Sequence, residues 1–308
     1  MIWTMGEMIV EIMRDKVDSP LNSAGVFLGP YPSGAPAIFI DTVARLGHPA
    51  GIISGVGDDD FGRCLTERLA SDGVDISRVL VDPTCSTGCA FVMYFSNGDR
   101  KFIFHIGNTP AAKATAPASV EHADFFHVMG CSLMASDAFG AEIVKTARLY
   151  RDCGTKISFD PNIRPELMGG ADTAREILSM TSVFLPGVAE LKMMAGCDTI
   201  EDSVKKCFEN PMLEIIALKR GSHGCTVYTR NDKLDFGIYP ITPVDATGAG
   251  DSFDAAFLTS LAEGLPLIDA VRRATSAASL NTAAFGPMEG KINPDTVAAL
   301  IAEHPEIG

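Results

Sequence analysis

Residues 243–257 read PVDATGAGDSFDAAF, a glycine-alanine-glycine turn between two aspartates that leads directly into an apolar run. Phe253, Phe257 and Leu261 recur at intervals of four residues, which places them on one face of a helix. A helix that starts behind a glycine-rich loop presents unpaired backbone N–H groups, and its dipole adds about half a positive charge there. The stretch therefore predicts an anion-binding loop built from backbone, with the carboxylate of Asp251 beside it.

The remainder of the chain alternates short apolar runs with helix-length amphipathic segments, which predicts a doubly wound α/β sheet. The predicted buried strands are Ile52–Ile53, Phe125–Met129, Lys156–Phe159, Ser182–Leu185 and Glu214–Leu218, and the predicted helices include 36–46, 61–72, 138–152 and 171–180. In such sheets, ligands bind where the carboxyl ends of strands lead into helices. We therefore expect Ile238–Val244 to be a strand, 245–250 the binding loop and Asp251 onward a helix.

Two segments, 12–33 and 85–108, lack the alternation and are rich in turns or strand-forming residues. The second contains two apolar runs joined around Asn97-Gly98-Asp99, which is typical of a β-hairpin. These two segments predict a small β lid. The α/β body would then comprise 1–11, 34–84 and 109–308.

The composition of the chain indicates which classes of partner the protein is not expected to bind. With a formal net charge of −14, an extended nucleic-acid surface is not expected, because phosphate backbones are held by clustered Lys and Arg. No membrane span is expected either, since the uncharged stretch 21–40 contains three prolines. The eight cysteines form no CxxC pair, and the apolar N-terminal stretch contains Glu7 and Glu11, unlike a signal peptide. We expect a cytoplasmic protein with reduced thiols.

Four motifs in sequence order resemble those of the ribokinase-like (phosphofructokinase-B type) carbohydrate kinases, in their fructokinase and 2-keto-3-deoxygluconate kinase branch. PVDATGAGDSF is similar to the C-terminal signature of that family, and residues 55–62, GVGDDDFG, resemble its first signature. Residues 32–37, PSGAPA, resemble its sugar-contacting loop, and residues 160–165, DPNIRP, a segment typical of that branch. The resemblance covers essentially the whole chain, and it implies the ribokinase-like fold with a small β-sheet lid.

For catalysis, the resemblance implies that Asp251 is the base and that Gly248, Ala249 and Gly250 form the anion hole. Phosphoryl transfer needs an acceptor hydroxyl in line with the γ-phosphate and a carboxylate that takes its proton. An aspartate next to an anion-binding loop lies where the hydroxyl and the phosphate must meet. The alternative is structural: Asp251 would cap the helix and the glycines would form a tight turn.

For ATP and Mg²⁺, the resemblance implies a glutamate that orients metal-bound water, here Glu190, although Gly187 replaces the usual asparagine of that motif. Lys219, Gly221 and Asn281 match nucleotide contacts. Asp245 and Thr247 match positions that hold a monovalent cation, K⁺, in several relatives, and a turn-stabilising role for both residues is the alternative.

For the sugar, the resemblance implies contacts from the residues Glu11, Gly34, Ala35, Asn162 and Arg164. Residues 6–11, GEMIVE, resemble the first strand of the family. An acid inside an apolar strand is costly unless it is paired, which favours a functional role for Glu11. The asparagine that follows the sugar-contacting loop in the family is replaced here by Ile38.

These assignments predict an ATP-dependent kinase that phosphorylates a primary hydroxyl of a monosaccharide, a ketohexose of the fructose or tagatose type. Relatives acting on 2-keto-3-deoxygluconate often carry Tyr-x-Arg, with an arginine for the sugar carboxylate, where this chain has residues 104–106, FHI, and this difference favours a neutral ketohexose. Kinase activity on 2-keto-3-deoxygluconate is the alternative, and a ribokinase or nucleoside kinase activity is also open. A non-catalytic sugar- or nucleotide-binding protein and an NAD-dependent dehydrogenase are alternatives of other classes, although the chain lacks a dinucleotide fingerprint. Pairing of lid strands between two subunits would give a homodimer.

Overall fold

The computed structural model describes residues 1–163 and 171–307. Its strands are β1 (Ile2–Met5), β2 (Ile9–Arg14), β3 (Phe27–Ser33), β4 (Ala50–Gly57), β5 (Val74–Asp82), β6 (Cys89–Tyr94), β7 (Arg100–His105), β8 (Phe125–Met129), β9 (Lys156–Asp160), β10 (Thr181–Phe184), β11 (Ile215–Lys219), β12 (Cys225–Tyr228) and β13 (Lys233–Phe236). Its helices are α1 (Ala35–Arg45), α2 (Asp60–Ser71), α3 (Gly130–Ala135), α4 (Asp137–Asp152), α5 (Ala171–Ser179), α6 (Val188–Ala195), α7 (Ile200–Cys207), α8 (Ala249–Ala262), α9 (Leu267–Thr282) and α10 (Pro294–Glu303).

The main sheet has nine strands in the order β13-β12-β11-β10-β9-β8-β1-β4-β5. From β11 to β5 in this order, neighbouring strands pair in parallel, whereas β12 pairs antiparallel with both β11 and β13 at one edge. The predicted doubly wound α/β fold is therefore confirmed.

Helices cover both faces of this sheet because successive side chains of a strand point to opposite sides. Phe125 and Met129 of β8 pack in one core with α1, α2, α8, α9 and α10, whereas Phe126 and Val128 pack in a second core with α3 to α7. Strands buried on both faces explain the nearly continuous apolar runs in the sequence. Among the described residues, no helix combines the length and apolar character needed to cross a membrane.

The small sheet has four strands in the order β3-β2-β6-β7. The hairpin β6–β7 joins around residues 97–99, as the sequence predicts. The sheet also includes Ile9, Val10 and Glu11, so it begins three residues before the expected lid segment. The stretch 6–11, expected as a single strand, consists of a connection at residues 6–8 and the first three residues of β2. At this connection the chain passes from β1 in the main sheet to β2 in the small sheet.

The expected strand Ile238–Val244 is wrong. Residues 237–247 form no strand, and Pro240 and Pro243 within them lack the N–H groups that a sheet ladder needs. The segment runs beside the end of α9 instead, where the N–H groups of Val244 and Asp245 donate to the carbonyl oxygen of Thr282 at 2.7 and 3.1 Å. Helix α8 begins at Ala249, two residues before the expected start.

Candidate active site

The glycine loop turns sharply into helix α8. Gly248 has φ 80° and ψ −3°, a left-handed conformation that favours glycine. A Cβ atom at this position would lie 2.6 Å from the carbonyl oxygen of Pro287, so no other residue fits without movement of the backbone. Ala249 begins the helix, and its N–H reaches the carbonyl oxygen of Ala246 at 3.3 Å. Gly248 and Gly250 both line a cleft in front of the helix.

Asp251 lies in the first turn of α8, buried at the wall of this cleft. Its Oδ1 accepts a hydrogen bond from the side-chain amide of Asn162, whose Nδ2 lies 3.2 Å away. Asn162 follows β9 and has φ 37°, which is uncommon for a residue with a side chain. The end of β9 therefore contributes directly to the position of the carboxylate.

The cleft has a volume of about 200 Å³ and lies between the two sheets. Its floor contains residues at or after the carboxyl ends of β9, β10 and β11, where parallel α/β sheets bind ligands. Its roof comes from the small sheet, through Arg100, Phe102 and Phe104. An anion bound at the glycine loop would therefore be covered by the small sheet.

Two side chains of the small sheet reach across to the glycine loop. The hydroxyl of Tyr94 donates to Asp245 Oδ2 at 2.9 Å and lies 3.1 Å from Thr247 Oγ1. A guanidinium nitrogen of Arg100 donates to the same Thr247 oxygen at 2.8 Å. Burial, together with the charge of Asp245, raises the pKa of Tyr94, which therefore stays protonated. The structure thus shows the lid in contact with the site.

Asp245 organises the turn itself. Its Oδ1 accepts hydrogen bonds from the N–H and the hydroxyl of Thr247 at 2.9 and 2.7 Å, and its Oδ2 also accepts the N–H of Gly286 at 3.1 Å. These contacts provide the turn-stabilising role that the sequence left open. A role in binding a monovalent cation stays a prediction.

Three more of the residues expected to contact a sugar, Glu11, Gly34 and Ala35, line the same cleft. Glu11 is buried, and its Oε1 accepts a hydrogen bond from the hydroxyl of Ser33 at 2.8 Å. Gly34 has φ 103°, and a Cβ there would lie 2.5 Å from the carbonyl oxygen of Glu7. Ala35 begins α1 next to it. This loop approaches the cleft closely because Gly34 has no side chain.

Glu7 is a second acid that lines the cleft, at a position that was not among the expected site residues. It is buried, and its two carboxylate oxygens accept hydrogen bonds from the hydroxyl of Ser132 and from the thiol of Cys131. The sequence signal was the same as for Glu11, a charged residue within an apolar stretch.

Glu190 connects the loops after β9 and β10. Its Oε1 accepts the N–H of Ile163 at 2.8 Å and its Oε2 accepts the N–H of Gly187 at 2.7 Å, while the residue lines the cleft. Burial raises the pKa of Glu190, and the nearby charge of Asp160 adds to this effect. The carboxyl group thus fixes two backbone turns at the floor.

Lys219, at the end of β11, forms ion pairs with two buried carboxyl groups. Its Nζ lies 2.7 Å from Asp160 Oδ2 and 3.0 Å from Asp254 Oδ2. Burial alone would lower the pKa of the ammonium group, but Asp160 and Asp254 outweigh burial and raise it. Lys219 is therefore charged at neutral pH.

With this geometry established, sequence comparison identifies the family. The profile of the pfkB family of carbohydrate kinases matches residues 2–294. The chain belongs to this family. The prediction of a ribokinase-like carbohydrate kinase is confirmed, and the chain is a sugar kinase, an enzyme that transfers phosphate to an alcohol group. Family membership also removes the dehydrogenase alternative.

Individual relatives of this pfkB kinase extend over nearly the whole chain. Fructokinase-1 of Zea mays is 29% identical over 303 residues, covering 93% of each chain. Fructokinase-1 of Oryza sativa subsp. japonica is 31% identical over 271 residues, covering 85% of this chain and 83% of its own. A crystal structure of an E. coli protein, provisionally named Ribokinase II and in complex with ATP and Mg²⁺, is 38% identical and superimposes with a TM-score of 0.90, covering 98% of this chain and 99% of its own.

The structure brings most of the expected site residues of this pfkB kinase together. The cleft is lined by Glu11, Gly34, Ala35, Asn162, Glu190, Lys219, Thr247, Gly248, Gly250 and Asp251. Two expected nucleotide contacts lie elsewhere. Asn281 is buried and donates to the carbonyl oxygen of Thr247 at 2.6 Å, beneath the glycine loop, and Gly221 is exposed in a short turn after β11. Arg164, expected to contact the sugar, lies outside the described residues.

Proposed function

We propose that this pfkB kinase transfers the γ-phosphate of ATP to a primary hydroxyl of a ketohexose, with fructose as the first candidate and tagatose as the second. The observation that carries the proposal is the position of Asp251, buried beside the glycine loop in a cleft that also contains Glu11. The fructokinase names of the Zea mays and Oryza sativa relatives support fructose. ATP as the donor is supported by the E. coli relative.

In the proposed reaction, a bond forms between the acceptor oxygen and the γ-phosphorus while the bond to the β,γ-bridging oxygen breaks, and ADP leaves. The proton of the acceptor hydroxyl goes to Asp251, which the amide of Asn162 holds in place. The N–H groups of Gly248 and Gly250 would stabilise the charge that develops on the transferred group, and the positive end of the α8 dipole adds to their effect. The N–H of Ala249 would join them by leaving the carbonyl oxygen of Ala246.

Mg²⁺ would neutralise the charge of the phosphates when it is bound with ATP. The described residues contain no group of three or more His, Cys, Asp or Glu side chains arranged for a metal ion. This fits an ion that is bound mainly by phosphate oxygens and water, with one carboxylate in reach. Glu190 is the residue that would hold its water, because it lines the floor of the cleft.

Asp245 and Thr247 are the proposed site for a monovalent cation such as K⁺. We expect activity to rise with KCl and to respond less to choline chloride at equal ionic strength. Equal responses to the two salts would show that Asp245 and Thr247 only stabilise the turn.

The lid would exclude water, which competes with the sugar as phosphate acceptor. We propose in addition that two lids pair to form a homodimer, since Val17, Val26, Leu28 and Ile103 of the lid region are exposed. Light scattering tests this proposal, and a monomer at micromolar concentration would refute it. The proposed location is the cytoplasm, where the eight cysteines, which are free thiols in the structure, would remain reduced.

The decisive experiment measures ADP release with ATP and Mg²⁺ across fructose, tagatose, ribose, 2-keto-3-deoxygluconate and a nucleoside. Fructose should give the largest kcat/KM. Ribose is the acceptor for the alternative ribokinase activity, and it is included because the E. coli relative with 38% identity carries the name Ribokinase II. A larger kcat/KM for the sugar acid than for fructose would overturn the ketohexose assignment. A rate of ADP release that is the same with and without each acceptor would overturn the kinase mechanism at this cleft.

Asp251→Asn tests the base directly. This variant should fold and bind ATP but lose about 10²- to 10⁴-fold in kcat, the usual contribution of a positioned acid or base. Asp269→Asn, in an exposed surface ion pair on α9, is the control and should keep full activity. Near-normal turnover of Asp251→Asn would remove Asp251 from this role.

A further inference from the structure

Lys219, Asp160 and Asp254 form a buried cluster that the reaction described above does not use. Lys219 ends β11, Asp160 ends β9 and Asp254 lies in α8. The lysine Nζ donates to Asp160 Oδ2 at 2.7 Å and to the two oxygens of Asp254 at 3.1 and 3.0 Å. Both carboxyl groups are almost completely buried. One ammonium group thus joins two strands of the sheet to the helix that carries the base.

The same cluster is connected to Asp251 by a second route. Asp160 Oδ1 accepts the backbone N–H of Asn162 at 3.1 Å, and the side-chain amide of Asn162 donates to Asp251 at 3.2 Å. Asp254 lies one helical turn after Asp251. The contacts therefore form a closed ring that runs from Lys219 through Asp160 and Asn162 to Asp251, and back along α8 through Asp254.

Asn162 needs such support. Its φ of 37° lies in a region that residues with side chains rarely occupy, and such conformations persist only where the surroundings enforce them. Asp160 holds its backbone N–H, and Glu190 holds the N–H of the next residue, Ile163, at 2.8 Å. The turn that presents the amide to Asp251 is thus fixed from two sides.

The three groups of the cluster shift one another's pKa values. Burial raises the pKa of Asp254 well above its usual value against the lowering effect of the Lys219 ammonium, and the neighbouring charge of Asp160 raises it further. Burial would also raise the pKa of Asp160, but the Lys219 ammonium outweighs it and the pKa is lowered.

We propose that Lys219 is a positioning residue for phosphoryl transfer: it fixes β9 and α8 relative to each other, and thereby the Asn162 amide relative to the Asp251 carboxylate. This inference rests on the proposed role of Asp251 as the base. It replaces the expectation that Lys219 contacts the nucleotide, because the three donor positions of its ammonium group are already directed at Asp160 and Asp254.

The test compares Asp254→Ala with Asp254→Asn in the sugar-dependent ADP assay. The alanine removes the contact between α8 and Lys219 while Asp160 still pairs with the lysine. The asparagine keeps the shape of the aspartate side chain and an oxygen for Lys219, so it is the matched control. Asp254→Ala should lose about tenfold or more in kcat with little change in the KM for ATP, since misplacement of a reacting group by a fraction of an ångström has effects of that size. Asp254→Asn should stay within about twofold of the wild type.

A second comparison separates positioning from general stability. Asn162→Ala removes the amide through which the ring acts, so Asp254→Ala should add little further loss of kcat in that background. Lys219→Arg keeps the positive charge but cannot match the same two carboxylates, so it should also lose kcat. If Asp254→Ala shows no cooperative unfolding transition, that variant is not folded, and the effect on kcat is then measured with Lys219→Arg instead.

Three results would overturn the inference: full kcat in Asp254→Ala, a raised KM for ATP with unchanged kcat in Lys219→Arg, or fully additive losses with Asn162→Ala. The second result would indicate a direct contact of Lys219 with the nucleotide. Failure of the proposed function itself is distinguishable, because then the wild-type protein would release no ADP with any sugar of the panel.

Discussion

The substitution Gly248→Ala tests the glycine loop with a perturbation whose size follows from the structure. The φ of 80° is left-handed, and a side chain in that conformation costs about 1–2 kcal/mol. The new methyl group would also lie 2.6 Å from the carbonyl oxygen of Pro287 and 3.0 Å from Cγ2 of Ile38. Both distances are shorter than ordinary van der Waals contacts, so the loop must shift by several tenths of an ångström.

Such a shift moves the N–H groups that would face the transferred phosphoryl group. Loss of one aligned donor at an oxyanion site costs about 10²- to 10³-fold in kcat. We expect Gly248→Ala to lower kcat by about 10²-fold and the free energy of unfolding by about 1–2 kcal/mol. The ADP-release assay gives kcat, and urea unfolding followed by circular dichroism gives the stability.

Gly264→Ala is the matched control because Gly264 lies just beyond the other end of the same helix. Its φ is 74°, and no atom lies within 4 Å of a Cβ placed there. It should lose a similar free energy of unfolding and keep its kcat. The reasoning would be refuted by a Gly248→Ala enzyme with near-normal kcat, or by equal losses of activity in the two variants.

Further predictions concern the lid, the sugar end and a buried acid. Tyr94→Phe removes a hydrogen bond to the Asp245 carboxylate and should raise the sugar KM about tenfold while ATP hydrolysis without sugar increases; an unchanged KM and hydrolysis rate would exclude a role in closure. Glu7→Gln should raise the KM for the sugar but not for ATP, and parallel changes in both would argue against a sugar contact. Burial raises the pKa of Asp41 from 3.8 to about 7, against the lowering effect of Arg68. The folded state then binds the proton more tightly than the unfolded state, so this group makes the free energy of unfolding fall between pH 4 and 7, by at most about 4 kcal/mol. Urea unfolding of the wild type should show a steeper fall than Asp41→Asn over that range, and identical slopes would contradict the assignment.

The strands of the main sheet and the helices that cover it could be predicted from the sequence, because their local pattern of apolar residues agrees with their burial in the fold. Phe125–Met129 was expected as a strand and is β8 without any change of bounds. The segment 238–244 could not be read this way, since its apolar residues suggest a strand while its two prolines prevent one. Its place beside α9 depends on contacts with Thr282, which no local pattern reports.

The site shows the same division. Asp251 and the glycine loop carry a dense local signal, so their meeting with Asn162 in one cleft could be expected from the motifs. The two acids around Lys219 come from distant parts of the chain, and the DPN motif gave no hint that Asp160 binds a lysine. Asn281 was expected to contact the nucleotide from the family resemblance, which could not report that the packing of α9 under the loop directs its amide to the backbone carbonyl of Thr247.

The arrangement of helices also has a consequence for synthesis on the ribosome. One core combines early helices such as α1 with α8, α9 and α10, which are all made after residue 248. Until those helices emerge, strand side chains such as Val183, Leu185 and Ala217 lack part of their cover, so a nascent chain cannot complete this core. Asp251 arrives with the first of the same helices. A chain that stops before residue 249 therefore lacks both the proposed base and part of the cover of this core.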